Sequence, residues 1–284
     1  MAAVFPDPET ALKACGVRGP WRGIRPLSGG VFGRVFRAET GDGRVCLKIG
    51  PPHPLREREG LEALAAAESG LCVPKVLGHW VPENGPGALA LEYLAPGPAD
   101  WEALGRVLAE LHRRSEKHFG FFHDNFLGAT PQENGWMENW GLFFAERRIG
   151  ALVRRLERAG ELSGAESGLY AKLLEKIPSL LSHLPAPALL HGDLWSGNFL
   201  PSQKGPALID PAVYFGDREA EWAMMRLFGG FPQAALSAYQ ESFPLPAGWR
   251  ERQPLYQLYH LLNHQLLFGG GYGAQAMAVA RNYL

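Results

Sequence analysis

The residues of this chain best suited to chemistry lie in LLHGDLWSGNFL, residues 189 to 200, and in ALIDPAVYFGDREAE, residues 207 to 221. His191, Asp193 and Asn198 stand in the order His-x-Asp-x4-Asn, and a second acid, Asp210, closes the apolar run Ala207-Leu208-Ile209. This layout suits phosphoryl transfer. A carboxylate must sit against the attacking hydroxyl, while an amide oxygen and a second carboxylate hold the magnesium that bridges nucleotide phosphates. Asp193 is the expected base, and Asn198 and Asp210 the expected metal ligands. His-Gly-Asp alone would be weak, because Asp and Asn side chains stabilise many ordinary turns. The weight comes from chain order, with a glycine turn, a strand lysine and a helix glutamate preceding the loop.

Those three features belong to the first hundred residues. RGIRPLS, VFGRVFRAE and GRVCLKI predict strands, the last two joined by the turn Thr40-Gly41-Asp42-Gly43. Ser28, Gly29, Gly30 and Val31 lie between the first two, where glycines let the backbone approach phosphate oxygens. In the third strand, period-two alternation turns Cys46 and Lys48 to one face, opposite Leu47 and Ile49. Lys48 is expected at the nucleotide phosphates and Cys46 above the adenine. A lysine in an apolar strand needs a partner, and the helix REREGLEALAAAESG offers Glu57, Glu59 and Glu62. Glu59 is the expected partner, with Glu62 still open.

PKVLGHW and ALALEYL add two strands, and Ala95-Pro96-Gly97-Pro98 follows as a linker. The fold class is therefore α+β, with residues 1–94 as a nucleotide-binding lobe and 95–284 as a helical catalytic and substrate lobe. Helices are expected over 100–114, 136–160, 165–183, 217–229, 232–241, 250–267 and 273–283. Between residues 119 and 148, aromatics interleave with amides, which suits a sugar: flat apolar faces for the ring, amides for its hydroxyls. Gln132, Asn134 and Trp136 are the candidates. The competing reading is a packed connection whose buried amides satisfy backbone groups.

A chain of 284 residues is long enough for two lobes. Its net charge of -1 provides no electrostatic footprint for nucleic acid. No apolar run approaches the length of about 18 needed to span a membrane, and the N-terminus lacks a signal pattern, so a cytoplasmic protein is expected. Three widely spaced cysteines support neither a zinc site nor a disulfide framework.

With these residues in hand, the chain resembles the fructosamine kinase, or ketosamine kinase, family within the aminoglycoside-phosphotransferase and choline-kinase group of protein-kinase-like folds. The resemblance runs nearly end to end. Its specific parts are Glu59-Gly-Leu-Glu-Ala-Leu64, Leu111-His112, Phe119-Gly-Phe, Pro131-Gln132-x-Asn134-x-Trp136, His191-Gly-Asp-Leu-Trp-Ser-Gly-Asn198, Asp210-Pro-Ala-Val-Tyr214, Gly216-Asp-Arg-Glu219, Leu227-Phe-Gly-Gly-Phe231 and Tyr256-Gln-Leu-Tyr-His-Leu-Leu-Asn263. It implies an antiparallel N-lobe with one main helix, a mostly helical C-lobe, and use of ATP and Mg2+. It also implies transfer to the third-carbon hydroxyl of a sugar joined by a ketoamine to an amine or a protein lysine. The phosphate then destabilises the adduct, a deglycation or protein-repair activity. By the same resemblance Glu92, Tyr93 and Leu94 join the nucleotide contacts, and Trp195 and Asp217 the substrate contacts.

The implied partners are small ketosamines and glycated proteins, with a monomer or weak dimer expected. Val31 replaces a cysteine that some relatives use for redox control, which argues against that control here. Asp210 is followed by Pro211, so no phenylalanine switch of the protein-kinase kind is expected. Two rivals keep much of the same machinery: a kinase for an aminoglycoside- or choline-like substrate, and an inactive nucleotide-binding scaffold.

Overall fold

The computed structural model describes residues 5–27, 33–50 and 53–284. Helix α1 (Pro8–Ala14) begins where Asp7 accepts the Thr10 backbone N–H at 3.0 Å, with Pro8 at the first position, where its missing N–H is not needed. Strands β1 (Arg22–Leu27), β2 (Arg34–Thr40) and β3 (Gly43–Ile49), helix α2 (Pro54–Ala66), and strands β4 (Val76–Trp80) and β5 (Ala88–Glu92) follow. The strands pair antiparallel in the order β1-β2-β3-β5-β4.

Alternation along β3 sorts its side chains between two layers. Val45, Leu47 and Ile49 pack with Ala11, Leu12 and Cys15 on one side of the sheet. On the other, Cys46 packs against Leu89, Leu91 and Leu61 of α2, and Lys48 stands opposite Leu89. The expected face-sharing of Cys46 and Lys48 is present.

Next come α3 (Trp101–Arg113), the small hairpin β6 (Asn125–Leu127) and β7 (Thr130–Gln132), α4 (Trp140–Phe143), a π-helical stretch Phe144–Gly150, α5 (Ala151–Arg158), α6 (Gly164–Leu180) and β8 (Ala188–Leu190). The helix expected from residue 136 starts at Trp140, because Asn139 caps it by accepting the Leu142 N–H at 2.9 Å. Ser163 and Glu166 close a reciprocal capping box on α6. After the hairpin β9 (Phe199–Ser202) and β10 (Gly205–Leu208), strand β11 (Tyr214–Gly216) returns to pair with β8, and α7 (Arg218–Leu227), α8 (Gln233–Ser242), α9 (Trp249–Phe268) and α10 (Tyr272–Arg281) complete the chain.

The chain divides into two compact units, Met1–Asp100 with Phe199–Pro211, and Trp101–Asn198 with Ala212–Leu284. The boundary drawn at residue 94 from sequence therefore misplaces the β9–β10 hairpin. Backbone pairing attaches it to the first unit: Cys72 donates to Pro206 at 2.9 Å, Leu208 to Cys72 at 3.2 Å, and Gly97 to Pro201 at 3.0 Å. Within the second unit α3 packs on α8, and α9 on α7 and α10. At the first of these contacts a Cβ on Gly105 would meet the Ala235 carbonyl at 2.2 Å, so only glycine permits the approach. Among the described residues no helix is long and apolar enough to cross a membrane.

Candidate active-site residues on each unit

On the first unit, β3 projects Lys48 onto the sheet face that α2 covers. Its ammonium donates to Glu57 Oε1 at 2.6 Å and to Asp210 Oδ1. Glu57, not Glu59, is thus the helix partner. Glu59 pairs with Arg56 at 2.7 Å and Glu62 with Arg58 at 2.8 Å. Helical geometry explains the correction. Glu57 shares the i, i+4, i+7 face with the buried Leu61 and Leu64, whereas Glu59 points about 200° away.

Burial pushes the Glu57 carboxyl above the usual carboxylate range, against the opposing pull of Lys48. Burial alone would lower the Lys48 ammonium, but the charges of Asp210 and Glu57 outweigh it and hold its pKa above the usual lysine value. Lys48 is therefore a fixed, partly buried cation.

Asp210 follows β10 with φ +56, a left-handed conformation uncommon outside glycine, and its side chain remains 44% exposed. Cys46 lies on the Lys48 face, where burial raises its thiol to about 11. Of the other expected nucleotide contacts, Leu94 is buried and the Glu92 carboxylate is engaged by Lys204. Tyr93 lies under the guanidinium groups of Arg37 and Arg44, at 5.2 and 5.5 Å from its ring centre. Ser28, Gly29, Gly30 and Val31 lie outside the described residues.

On the second unit, the buried strand β8 delivers His191-Gly192-Asp193. Gly192 has φ +83, and a Cβ there would stand 2.1 Å from the Ala212 carbonyl, so the turn requires glycine. Asn198 Nδ2 donates to the Asp193 carbonyl at 2.8 Å and to Asp193 Oδ2 at 3.3 Å. That leaves Oδ1 as the asparagine atom able to face a cation. Trp195 is 39% exposed beside them, its ring over Gly197.

Glu221 belongs to this group although the sequence did not single it out. Its buried carboxylate accepts the backbone N–H of His191 at 2.5 Å and of Gly192 at 3.1 Å, clamping the loop that carries Asp193. An acid in the first turn of a helix looks solvated in sequence. Only its position behind β8 reveals the role.

Three expected substrate residues are buried and bonded within the second unit. Gln132 Nε2 donates to Asn125 Oδ1 at 2.7 Å and the Ala212 carbonyl at 3.0 Å, while its Oε1 accepts from Tyr259 at 2.8 Å. Asn134, fully buried, donates to the His123 carbonyl and Asn125 Oδ1 and accepts from Arg148 at 2.8 Å. These amides hold backbone in place, as the competing reading had it.

Asp217 is 2% exposed. It caps α7 through the Glu219 N–H at 3.0 Å and bonds Tyr256 at 2.5 Å and His183 at 2.7 Å. His183, Asp217 and Glu219 are spaced like metal ligands, but Arg252 already grips both Glu219 oxygens at 2.7 Å, which makes the cluster an internal ion-pair network. Trp136, by contrast, is 41% exposed.

The structure thus brings a partly buried lysine between two carboxylates on one unit, and a braced Asp-Asn loop on the other. The fructosamine kinase family profile matches residues 16–284. The chain belongs to the fructosamine kinase family. It is 36% identical to a probable ketoamine kinase of Enterococcus faecium, over 98% of this chain and 100% of that one. A solved Thermobifida fusca protein assigned as a fructosamine-3-kinase is similar at 32% identity and TM-score 0.84, covering 97% of each chain. An aminoglycoside phosphotransferase solved with AMP-PNP and hygromycin B shares the fold at TM-score 0.64 and 18% identity, over 93% of this chain and 94% of that one. The two-unit α+β architecture is accordingly the protein-kinase-like fold, and this family member is a phosphotransferase.

Proposed function

We propose that the protein phosphorylates the third-carbon hydroxyl of ketosamines, sugars joined through a ketoamine to an amine or a lysine side chain, with ATP as donor. Family membership supports the ketosamine class, and the observation that carries the chemistry is the Lys48 ammonium held between Glu57 and Asp210. A fixed cation beside an exposed carboxylate suits a polyphosphate and its counterion. Asp193 serves as the base. Its loop is braced by Glu221 and Asn198, which keeps the carboxylate oriented toward an incoming hydroxyl.

Asn198 Oδ1 and the Asp210 carboxylate are hard oxygen donors of the type magnesium prefers, and the residues present fit that ion. When bound it would neutralise phosphate charge. Trp195 and Trp136 offer exposed apolar faces for the sugar ring, and Cys46, Tyr93 and Leu94 are assigned to the nucleotide. Loss of the adduct after phosphorylation, and so protein deglycation, extends the same proposal.

The test uses Asp193→Asn and Asp210→Asn with fructose- and ribulose-lysine as acceptors. Asp193→Asn is expected to cut kcat by a factor on the order of 10² or more while Mg-ATP affinity holds, and Asp210→Asn to weaken Mg-ATP binding directly. Equal loss of nucleotide affinity in both would overturn this division of roles. Wild-type turnover of choline or aminoglycosides in place of ketosamines would overturn the substrate.

A further inference from the structure

The motif Leu227-Phe-Gly-Gly-Phe231 and the start of α10 have no part in the chemistry above, yet they meet in space beside the Asp193 loop. Phe228 ends α7, His264 and Phe268 lie one turn apart on α9, and Tyr272 opens α10. Ring centres stand 4.8 Å apart for Phe228 and His264, 5.0 Å for His264 and Tyr272, 5.4 Å for His264 and Phe268, and 6.4 Å for Phe228 and Tyr272. Three rings therefore gather around the imidazole, a cluster of four in all. The cluster is not closed over, since Phe228 is 39% and Phe268 49% exposed. Large rings held open at a surface commonly mark a binding site.

Two observations indicate what this one takes. The first is continuity. Gly230 has φ +93, and a Cβ there would lie 2.6 Å from Ser196 Cβ, so the turn leaving Phe228 rests directly on the loop between Trp195 and Asn198. The turn that follows Phe228 therefore adjoins the loop that carries the exposed Trp195. The second is the imidazole. His264 Nδ1 lies 2.8 Å from the His260 carbonyl and must donate to it, which makes Nε2 an acceptor in the neutral ring, and burial keeps that ring neutral by lowering its pKa. An apolar wall with one acceptor suits a carbon chain that bears an N–H.

We propose that Phe228, His264, Phe268 and Tyr272 form a subsite for the organic substituent of the substrate amine, an alkyl or aryl chain, with His264 Nε2 accepting the N–H of that amine. This rests on the ketosamine reading. With the sugar hydroxyl at Asp193, the rest of the substrate is taken to run along Trp195, and the Phe228–Gly230 turn joins the cluster to that loop. Selectivity then depends on the amine as well as the sugar.

The test compares kcat/KM for the ketosamine of benzylamine with that of methylamine, carrying the same sugar, in wild type, Phe228→Ala and Phe268→Ala. Wild type is expected to favour the benzyl adduct about tenfold, and each variant to bring that ratio toward one. Phe268→Leu, which keeps an apolar side chain, is expected to retain part of the preference and guards against a folding defect. Equal kcat/KM for the two adducts in wild type, or a ratio the variants leave untouched, overturns the subsite alone. Phosphorylation of neither adduct overturns the ketosamine reading and the subsite with it. An unchanged ratio together with a fall in sedimentation coefficient for Phe268→Ala would assign the cluster to contact between copies of the chain and overturn the proposal.

Discussion

Lys48 has a carboxylate from α2 on one side and a carboxylate from the end of β10 on the other, and the two have different duties. Glu57 is 12% exposed and positions the ammonium, while Asp210 is 44% exposed and can reach a ligand. Glu57→Ala is therefore expected to lower kcat/KM for ATP by about 10²-fold, since the cation then loses its fixed direction. Glu59→Ala should stay within about twofold of wild type, because its carboxylate pairs with Arg56 on the helix surface. Steady-state kinetics at saturating acceptor decide it. Equal losses in the two variants would mean the pair seen here is not the working one. Glu57 was legible in the sequence through its i, i+4, i+7 spacing with the apolar Leu61 and Leu64.

Among the elements, what could be read early was what depends on local periodicity. Alternation in β3 placed Lys48 and Cys46 on one face, and helices were found near each of the seven spans expected after residue 95. The amides of residues 132 and 134 could not be read this way, because a sugar pocket and a buried polar network have the same local composition. Their bonds fix the backbone of Ala212 and Val213 ahead of β11, partly through Asn125, which donates to the Val213 carbonyl at 2.8 Å. Gln132→Ala is thus expected to cost about 3 kcal/mol in urea unfolding by orphaning its buried partners, with little change in KM for the sugar. A stable variant with a raised sugar KM would return Gln132 to the pocket.

His260 of α9 adds a pH dependence. Burial holds its imidazole down at about 3, against 6.5 for a free histidine, so below about pH 6.5 the unfolded chain takes up a proton that the native chain refuses. Stability should accordingly be full above pH 6.5 and fall by as much as about 1.4 kcal/mol per pH unit below it. His260→Gln should flatten that slope between pH 6.5 and 5 in urea titrations. An unaltered slope would place the effect elsewhere.

At the scale of the molecule, the two units are not two consecutive stretches of chain. The hairpin Phe199–Pro211 belongs with the sheet of the first hundred residues, and it carries Asp210, while Asp193 and Asn198 belong to the second unit. Linear sequence could not show this, since the bonds between Cys72 and the hairpin join residues more than a hundred positions apart. Native-state hydrogen exchange should therefore find the Leu208 amide opening together with β3 and β5, and the Leu189 and Phe215 amides opening with the second unit. Leu208 exchanging in step with Leu189 would contradict the division.

Interleaving of this kind also bears on synthesis. As the chain leaves the ribosome, the five strands emerge first, but the piece that completes their unit, including the second carboxylate beside Lys48, arrives only after Trp101–Asn198 has been made. At about 5–20 residues per second the unit must wait roughly 5–20 s for its hairpin, with the Cys72 backbone groups lacking their native partners in the meantime. The first hundred residues are thus exposed to misassembly for as long as residues 101–198 take to be made.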